Sequence, residues 1–357
     1  MGKAIDLNKL RTGLTKNIKG LSSGFNDPVD WISTGNYTLN YRISGDFFKG
    51  VPFGKVSIFA GESGSGKSFV CSGNLVKNAQ GMGADVIIMD SENALDEEWL
   101  KALSVDTAPE RLLRLGVSEI NDVGKTLYDF IDGYNSEFGG LDYKQKPKVL
   151  VVIDSLGMLL TPTDVDQFSK GDMKGDLGRK AKMLTALVRN LVNRIAPHPI
   201  AVVCTNHTYA SQDMFDPDEK ISGGSGFIYA SSIVIAMKKK KLRDKEIKGG
   251  STSDIKGIKA SCKVMKSRYS KPFEAVDVFI PYDSGMDEYS GLLEMLEKDG
   301  VIKRVGNKYA YTTSSGEELI EFKKNWTGDM FSVVMQDYGN TKSPTDVSTD
   351  SDDQSSL

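Results

Sequence analysis

Val56-Ser57-Ile58-Phe59-Ala60, then Gly61-Glu62-Ser63-Gly64-Ser65-Gly66-Lys67-Ser68 and Phe69, is the stretch on which the reading of this chain turns. Its first five residues form a near-continuous apolar run, which suits a strand buried on both faces of a parallel sheet. The next eight fit Gly-x-x-x-x-Gly-Lys-Ser/Thr. The glycines let the backbone curl so that successive N–H groups converge on phosphate oxygens. Lys67 brings a point charge to the outer phosphates of a nucleotide, and the Ser68 hydroxyl is placed to ligate Mg²⁺. A helix opening at Ser68 adds its N-terminal dipole to the anion site. The expected ligand is ATP with Mg²⁺, met by Gly61, Ser63, Gly64, Ser65, Gly66, Lys67, Ser68 and Phe69.

Outward from this stretch, short apolar runs alternate with longer helical segments. Asp85 to Met89, Val149 to Ile153 and Ile200 to Cys204 read as further buried strands, and Phe69 to Gln80 and Arg179 to Ile195 as helices. The class is α/β, a phosphate-loop core with a mostly parallel sheet and right-handed crossovers. Ser231 to Met237, Ile258 to Met265 and Val276 to Tyr282 are expected to extend that sheet in antiparallel fashion. Asp154 closes the run Val149 to Ile153 and is expected to order Mg²⁺ beside Ser68. A strand-ending Asp that merely caps a turn is the plainer alternative.

The chain has 357 residues, 39% hydrophobic and 26% charged, with a net charge of -3. That is ordinary for a globular protein of about two domains. No apolar run approaches the ~18–20 residues needed to span a bilayer, and the N-terminus shows no apolar signal segment. Three scattered cysteines, Cys71, Cys204 and Cys262, argue against a disulfide framework or a zinc site and for a reducing cytoplasm. Leu7, Leu10, Leu14 and Ile18 form one apolar helical face, docked on the same chain or on a neighbouring subunit. The expected organisation is a helical oligomerisation segment at 1–30, the core at 31–285, a small α+β unit at 286–340 and a disordered acidic tail at 341–357. In the small unit, a helix over Leu292 to Lys298 precedes two short strands ending near Tyr311.

Further motifs point to one family. Met89-Asp90-Ser91-Glu92-Asn93-Ala94-Leu95-Asp96, Asp154-Ser155-Leu156-Gly157, Thr205-Asn206-His207-Thr208 and Lys266-Ser267-Arg268-Tyr269-Ser270-Lys271-Pro272-Phe273 occur in the order and spacing of the RecA-type recombinases. The Asn206-His207-Thr208-Tyr209 stretch, the Lys-Ser-Arg triplet and Asp287-Glu288-Tyr289-Ser290-Gly291-Leu292-Leu293 most resemble the phage UvsX recombinases. The resemblance covers roughly residues 30 to 312. It implies that Glu92 orients and deprotonates the water attacking the γ-phosphate, where residue pattern alone equally admits a surface acid. It implies that Trp99 stacks on adenine, against the alternative of a core Trp on a helical face. His207 stands where bacterial RecA has glutamine, and would sense the γ-phosphate. Lys266 and Arg268 would reach into the neighbouring subunit's nucleotide site. Their spacing of two also suits a solvated strand face.

The same resemblance marks two DNA-binding loops, about Thr161 to Leu177 and Tyr209 to Gly226. The expected DNA contacts are Arg189, Met214, Phe215, Gly223, Gly224 and Ser225. Lys238 to Lys248 and Lys256 to Lys271 carry net charges of +5 and +6. Such runs make a solvated hairpin or a secondary DNA contact. The expected function is ATP-dependent strand exchange in homologous recombination and repair, by a filament on single-stranded DNA. Duplex DNA, a second copy of the chain, and single-strand-binding and mediator proteins are the expected partners, with no membrane. The expected location is the cytoplasm, that of an infected bacterial host if the chain is phage-encoded. A hexameric helicase or ring ATPase is the alternative on the same core, and a regulatory binder that uses ATP only as a switch is a third.

Overall fold

The computed structural model describes residues 27–171, 178–209, 220–244, 246, 254–282 and 284–341. The amphipathic segment near the N-terminus, Met214 and Phe215, and the acidic tail beyond Thr341 lie outside the described residues. In chain order the strands are β1 (Trp31–Ile32), β2 (Val51–Pro52), β3 (Val56–Gly61), β4 (Asp85–Asp90), β5 (Leu112–Gly116), β6 (Val149–Asp154), β7 (Ile200–Asn206), β8 (Thr208–Tyr209), β9 (Lys220–Ile221), β10 (Ile233–Arg243), β11 (Ile255–Lys266) and β12 (Ala275–Pro281), with β13 (Lys303–Val305), β14 (Lys308–Thr312) and β15 (Glu318–Phe322) near the end. The helices are α1 (Tyr37–Ser44), α2 (Leu75–Gly81, led by a π-helical Phe69–Asn74), α3 (Glu97–Ala102), α4 (Ile120–Phe138), α5 (Pro162–Ser169), α6 (Arg179–Ile195), α7 (Gly226–Ala230), α8 (Leu292–Lys298) and α9 (Gly328–Thr341).

Eight strands form one sheet in the order β12-β11-β10-β3-β7-β6-β4-β5. Six run parallel, from β10 to β5, and β11 and β12 add antiparallel at one edge. The fold class read from the buried runs is therefore the one observed. The expectation for the three late strands needs one correction, because β10 pairs parallel to β3, with Ile233 beside Ser57 and Met237 beside Gly61. An apolar run buried on both faces carries no mark of strand direction, so only the crossover path decides it.

Both faces of the sheet are covered. Phe59, Ile88, Val152 and Val203 pack toward α2, α3 and the Leu39 and Ile43 face of α1. Ile58, Ile153, Val151 and Cys204 pack toward Val123 and Leu127 of α4 and Leu184, Val188 and Leu191 of α6. A third cluster joins α8, α9, β14 and Phe47 around Trp326 and Phe331. This small unit has a third strand, β15, and the helix α9, neither of which was anticipated; Glu318 and Glu321, three residues apart, fall on opposite faces of β15 and break its apolar alternation. The stretch expected as a DNA-binding loop from about Thr161 begins as helix α5. Its capping box closes through Thr161 and Asp164 with Pro162 at the first position.

Candidate functional site

Parallel strands in register bring their carboxyl ends to one edge, where open α/β sheets bind ligands. Ala60 lies beside Asn206, and Asp90 beside Asp154. The loop after β3, the turn after β4 and the ends of β6 and β7 therefore meet at that edge.

The loop from Gly61 to Ser68 is shaped to hold an anion. Gly64 and Gly66 have φ of 72° and 93°, values that an L side chain rarely adopts. A Cβ on Gly61 would lie 2.3 Å from the Met237 carbonyl oxygen. Ser65 is fully buried and its hydroxyl has no hydrogen-bond partner, an uncompensated polar atom that a bound phosphate would satisfy. Lys67 is buried, and its Nζ donates to the carbonyls of Gly61 and Glu62 at 2.9 Å each. Burial lowers the Lys67 pKa, and Asp154 and then Glu92 oppose that shift. Asp154 accepts from Ser68 Oγ at 3.1 Å, Ser72 Oγ at 3.2 Å and Thr205 Oγ1 at 2.5 Å. The donor set of a hydroxyl and a carboxylate beside a phosphate cradle fits Mg²⁺, a hard cation that binds oxygen.

Glu92 stands in the turn after β4. Its Oε1 accepts from Ser155 Oγ at 3.0 Å and lies 3.1 Å from His207 Nε2. Buried Asp90 anchors that turn, accepting from the Glu92 and Leu95 backbone N–H groups and pairing with Arg114 of β5 at 2.6 Å. Ser91 locks it to β6, its N–H donating to the Asp154 carbonyl and its hydroxyl bridging Ser155. A cavity of about 280 Å³ is lined by Ser68, Glu92, Asp96, Trp99 and Asp154, among others. Trp99 stands edge-on to Phe69 with ring centroids 5.3 Å apart. It thus lines the cavity while packing against the core.

His207 leads onward to the second loop. Its N–H donates to Asn206 Oδ1, its carbonyl accepts from Ser222 N–H, and Asn206 Nδ2 donates to the Ser222 carbonyl. Gly223 and Gly224 follow, and Cβ atoms there would crowd Leu184 and Ala181 of α6. Close packing on α6 is thus by itself a reason for glycine at both positions. Ser225 precedes α7, and Arg189 of α6 is exposed and lines a shallow pocket with Gly226 and Tyr229.

Lys266 and Arg268 lie elsewhere. Lys266 is in β11 opposite Val234, near the amino end of β10, and its Nζ donates to the carbonyls of Ile228, Tyr229 and Ser231. Arg268 is exposed and beyond the strand, so the two do not share a strand face as their spacing suggested. Its charge lowers the pKa of Lys55, the residue before β3, after burial. Lys266, level with Ile58 through Val234, therefore turns its amine toward the amino end of β3, and Arg268 stands near Lys55, away from their own phosphate loop. Burial and then Arg268 lower the Lys266 pKa. Beside Lys266 a cavity of about 830 Å³ opens between β10, β11 and α7, where Lys220, Lys238, Lys263, Tyr209 and Tyr229 also stand.

Residues 9–287 match the model of the RecA N-terminal domain. The chain belongs to the RecA family. It is 28% identical over 312 residues to the recombination and repair protein of Enterobacteria phage T4, covering 85% of this chain and 74% of that one. Two bacterial relatives named Protein RecA are similarly distant. That of Saccharopolyspora erythraea is 28% identical over 84% of this chain and 78% of its own length, and that of Thermotoga maritima 27% over 82% and 75%.

Family membership accounts for the ordered motifs but not for every residue at this edge. Asp90, Ser91, Ser155 and Asn206 lie inside those motifs, yet sequence gave no role to any of them. Arg114 had no signal at all, being one charged residue on an edge strand. No described helix is long and apolar enough to cross a membrane.

Proposed function

We infer that this chain is an ATP-dependent DNA strand-exchange recombinase that assembles as a filament on single-stranded DNA, with each nucleotide site completed by the next subunit. The observation that carries the shared site is the separation of its parts. Lys67, Ser68, Asp154 and Glu92 gather at one end of the sheet, and Lys266 and Arg268 stand at the other. Stacked head to tail, one copy would bring that second end against the first end of its neighbour.

In this reading Lys67 exchanges its two loop carbonyls for the β- and γ-phosphates. Ser68 and Asp154 hold Mg²⁺, which when bound neutralises phosphate charge. Glu92 orients the attacking water and takes its proton. Its contacts to Ser155 and His207 keep the carboxylate in place before a nucleotide arrives. His207 donates to the γ-phosphate, and through Asn206 and Ser222 its position is passed to the loop over 220–226. Trp99 meets the base of ATP. Arg189 and the backbone of Gly223 to Ser225 meet DNA phosphates, and Met214 and Phe215 are assigned to the bases. The lysine-lined cavity beside β11 is the place for a second DNA contact. The relative from phage T4 is named for recombination and repair, not for unwinding, which favours this reading over a ring helicase.

ATP turnover of the full chain with and without single-stranded DNA, alongside electron microscopy, tests the proposal. DNA-stimulated hydrolysis and helical filaments are expected. Pure folded protein without DNA-stimulated turnover, or closed rings in place of filaments, would overturn it.

A further inference from the structure

Strand β10 is longer than β3, and the excess runs alongside the phosphate loop. The last pair between the two strands is Met237 with Gly61. Lys239, two residues on, points to the same side as Met237 and reaches the loop tip. Its Nζ donates to the Ser63 carbonyl at 2.8 Å and lies 3.5 Å from Glu62 Oε2, and its N–H donates to Glu62 Oε1 at 3.1 Å. The same amine would lie 3.9 Å from a Cβ placed on Gly64. Lys67 meanwhile holds the Gly61 and Glu62 carbonyls. Two lysines thus fix three successive carbonyls of one loop.

We propose that Lys239, paired with Glu62, is a positioning residue of the nucleotide site that holds the Ser63–Gly64 peptide so that its N–H faces the phosphates. This rests on the ATP-site reading above. The peptide unit is planar and trans, so its C=O and N–H point to opposite sides. Pinning the Ser63 oxygen on the β10 side turns the Gly64 N–H away from β10, into the cradle. The constraint matters at this peptide because glycine follows it. Gly64 has φ of 72° and its Cβ position is nearly open, so rotation of the peptide meets little steric resistance. Glu62 holds the strand's own N–H and the amine together, which fixes the lysine in turn. Lys239 therefore works on the loop in its own subunit, unlike the DNA contact its place in a basic run suggested.

The test is calorimetric titration of ATP and ADP, with no DNA present, into the full chain and its Lys239→Ala, Lys239→Arg and Glu62→Gln variants. Lys239 is half-exposed, and thermal melting checks that each variant is folded. Lys239→Ala is expected to weaken ATP binding about three- to tenfold, as the loss of one charge-assisted hydrogen bond would. Lys239→Arg should recover part of that loss, and Glu62→Gln should reproduce a smaller share of it. In turnover, KM should rise more than kcat falls. Combined with Glu62→Gln, the Lys239→Ala effect should be less than additive. Unchanged ATP affinity in Lys239→Ala, or strict additivity, overturns the proposal. Lys67→Ala is the companion measurement. If it binds ATP normally, the ATP-site reading has failed; if it loses ATP while Lys239→Ala does not, only the present inference has.

Discussion

His198 and His207, the chain's two histidines, flank strand β7, one before its first residue and one after its last. At the amino end His198 is buried, with its ring edge-on to Tyr134 and its Nδ1 3.5 Å from Lys146 Nζ. Burial and then Lys146 lower its pKa to about 4, so it serves as a neutral, packed side chain. At the carboxyl end His207 keeps a third of its side chain exposed and meets Glu92 and Ser155. One residue type does two jobs because the two ends of a parallel sheet differ. Every carboxyl end opens onto loops that bring functional groups together, and the amino end of β7 is roofed by α4 and the turn at Pro199. The lysines divide in the same way, with Lys67 in the phosphate loop and Lys266 at the far end, fastened to the carbonyls that close α7.

Substitutions at the two ends should separate these jobs. The largest effect is expected from Lys266→Ala with Arg268→Ala, about 10³-fold in DNA-dependent turnover if the pair acts across the subunit boundary like an arginine finger. Nucleotide binding by the unassembled chain should survive. Because Lys266 also caps α7, Arg268→Ala alone is the cleaner probe, and full turnover in it would break the assignment of the far end. Next, Glu92→Gln should cut hydrolysis roughly 10²-fold or more while ATP and DNA binding persist. Hydrolysis at the native rate would remove Glu92 from the role of base.

His198 sharpens the contrast through pH. Its folded pKa of about 4 lies below an unfolded value near ~6.5. Above that range the group contributes nothing unfavourable; as pH falls toward 4 the unfolded chain takes up a proton that the folded chain refuses, and stability is lost. Between pH 7 and pH 5 the loss should be about 2 kcal/mol, read from urea midpoints, and His198→Gln should flatten that slope. An equal slope in the variant would show that another group sets it. The smallest effect belongs to Arg114→Ala. The pair it makes with Asp90 is partly solvated and should contribute about 0.5–1 kcal/mol, two- to fivefold in kcat with Arg114→Lys restoring part. A change confined to thermal stability would make the pair a fold contact rather than a support for Glu92.

Resemblance to the RecA-type recombinases marked Glu92 and His207, while the sequence by itself determined the phosphate loop, the strand before it and the apolar run that ends at Asp154. These are local signals, since a curled glycine loop and an apolar run buried on both faces are written in consecutive residues. The helix Arg179–Ile195 was legible for the same reason, through its apolar periodicity. Tertiary structure alone decided which groups support them. That β10 runs parallel to β3 is set by a crossover path that no short pattern encodes, and from it follow the reach of Lys239 to Ser63 and the placing of Lys266 opposite its own loop. Arg114 meets Asp90 because β5 joins the sheet beside β4. Hydrogen bonds between strands distant in sequence leave no periodicity behind, so side chains whose work depends on them are visible only once the sheet is assembled.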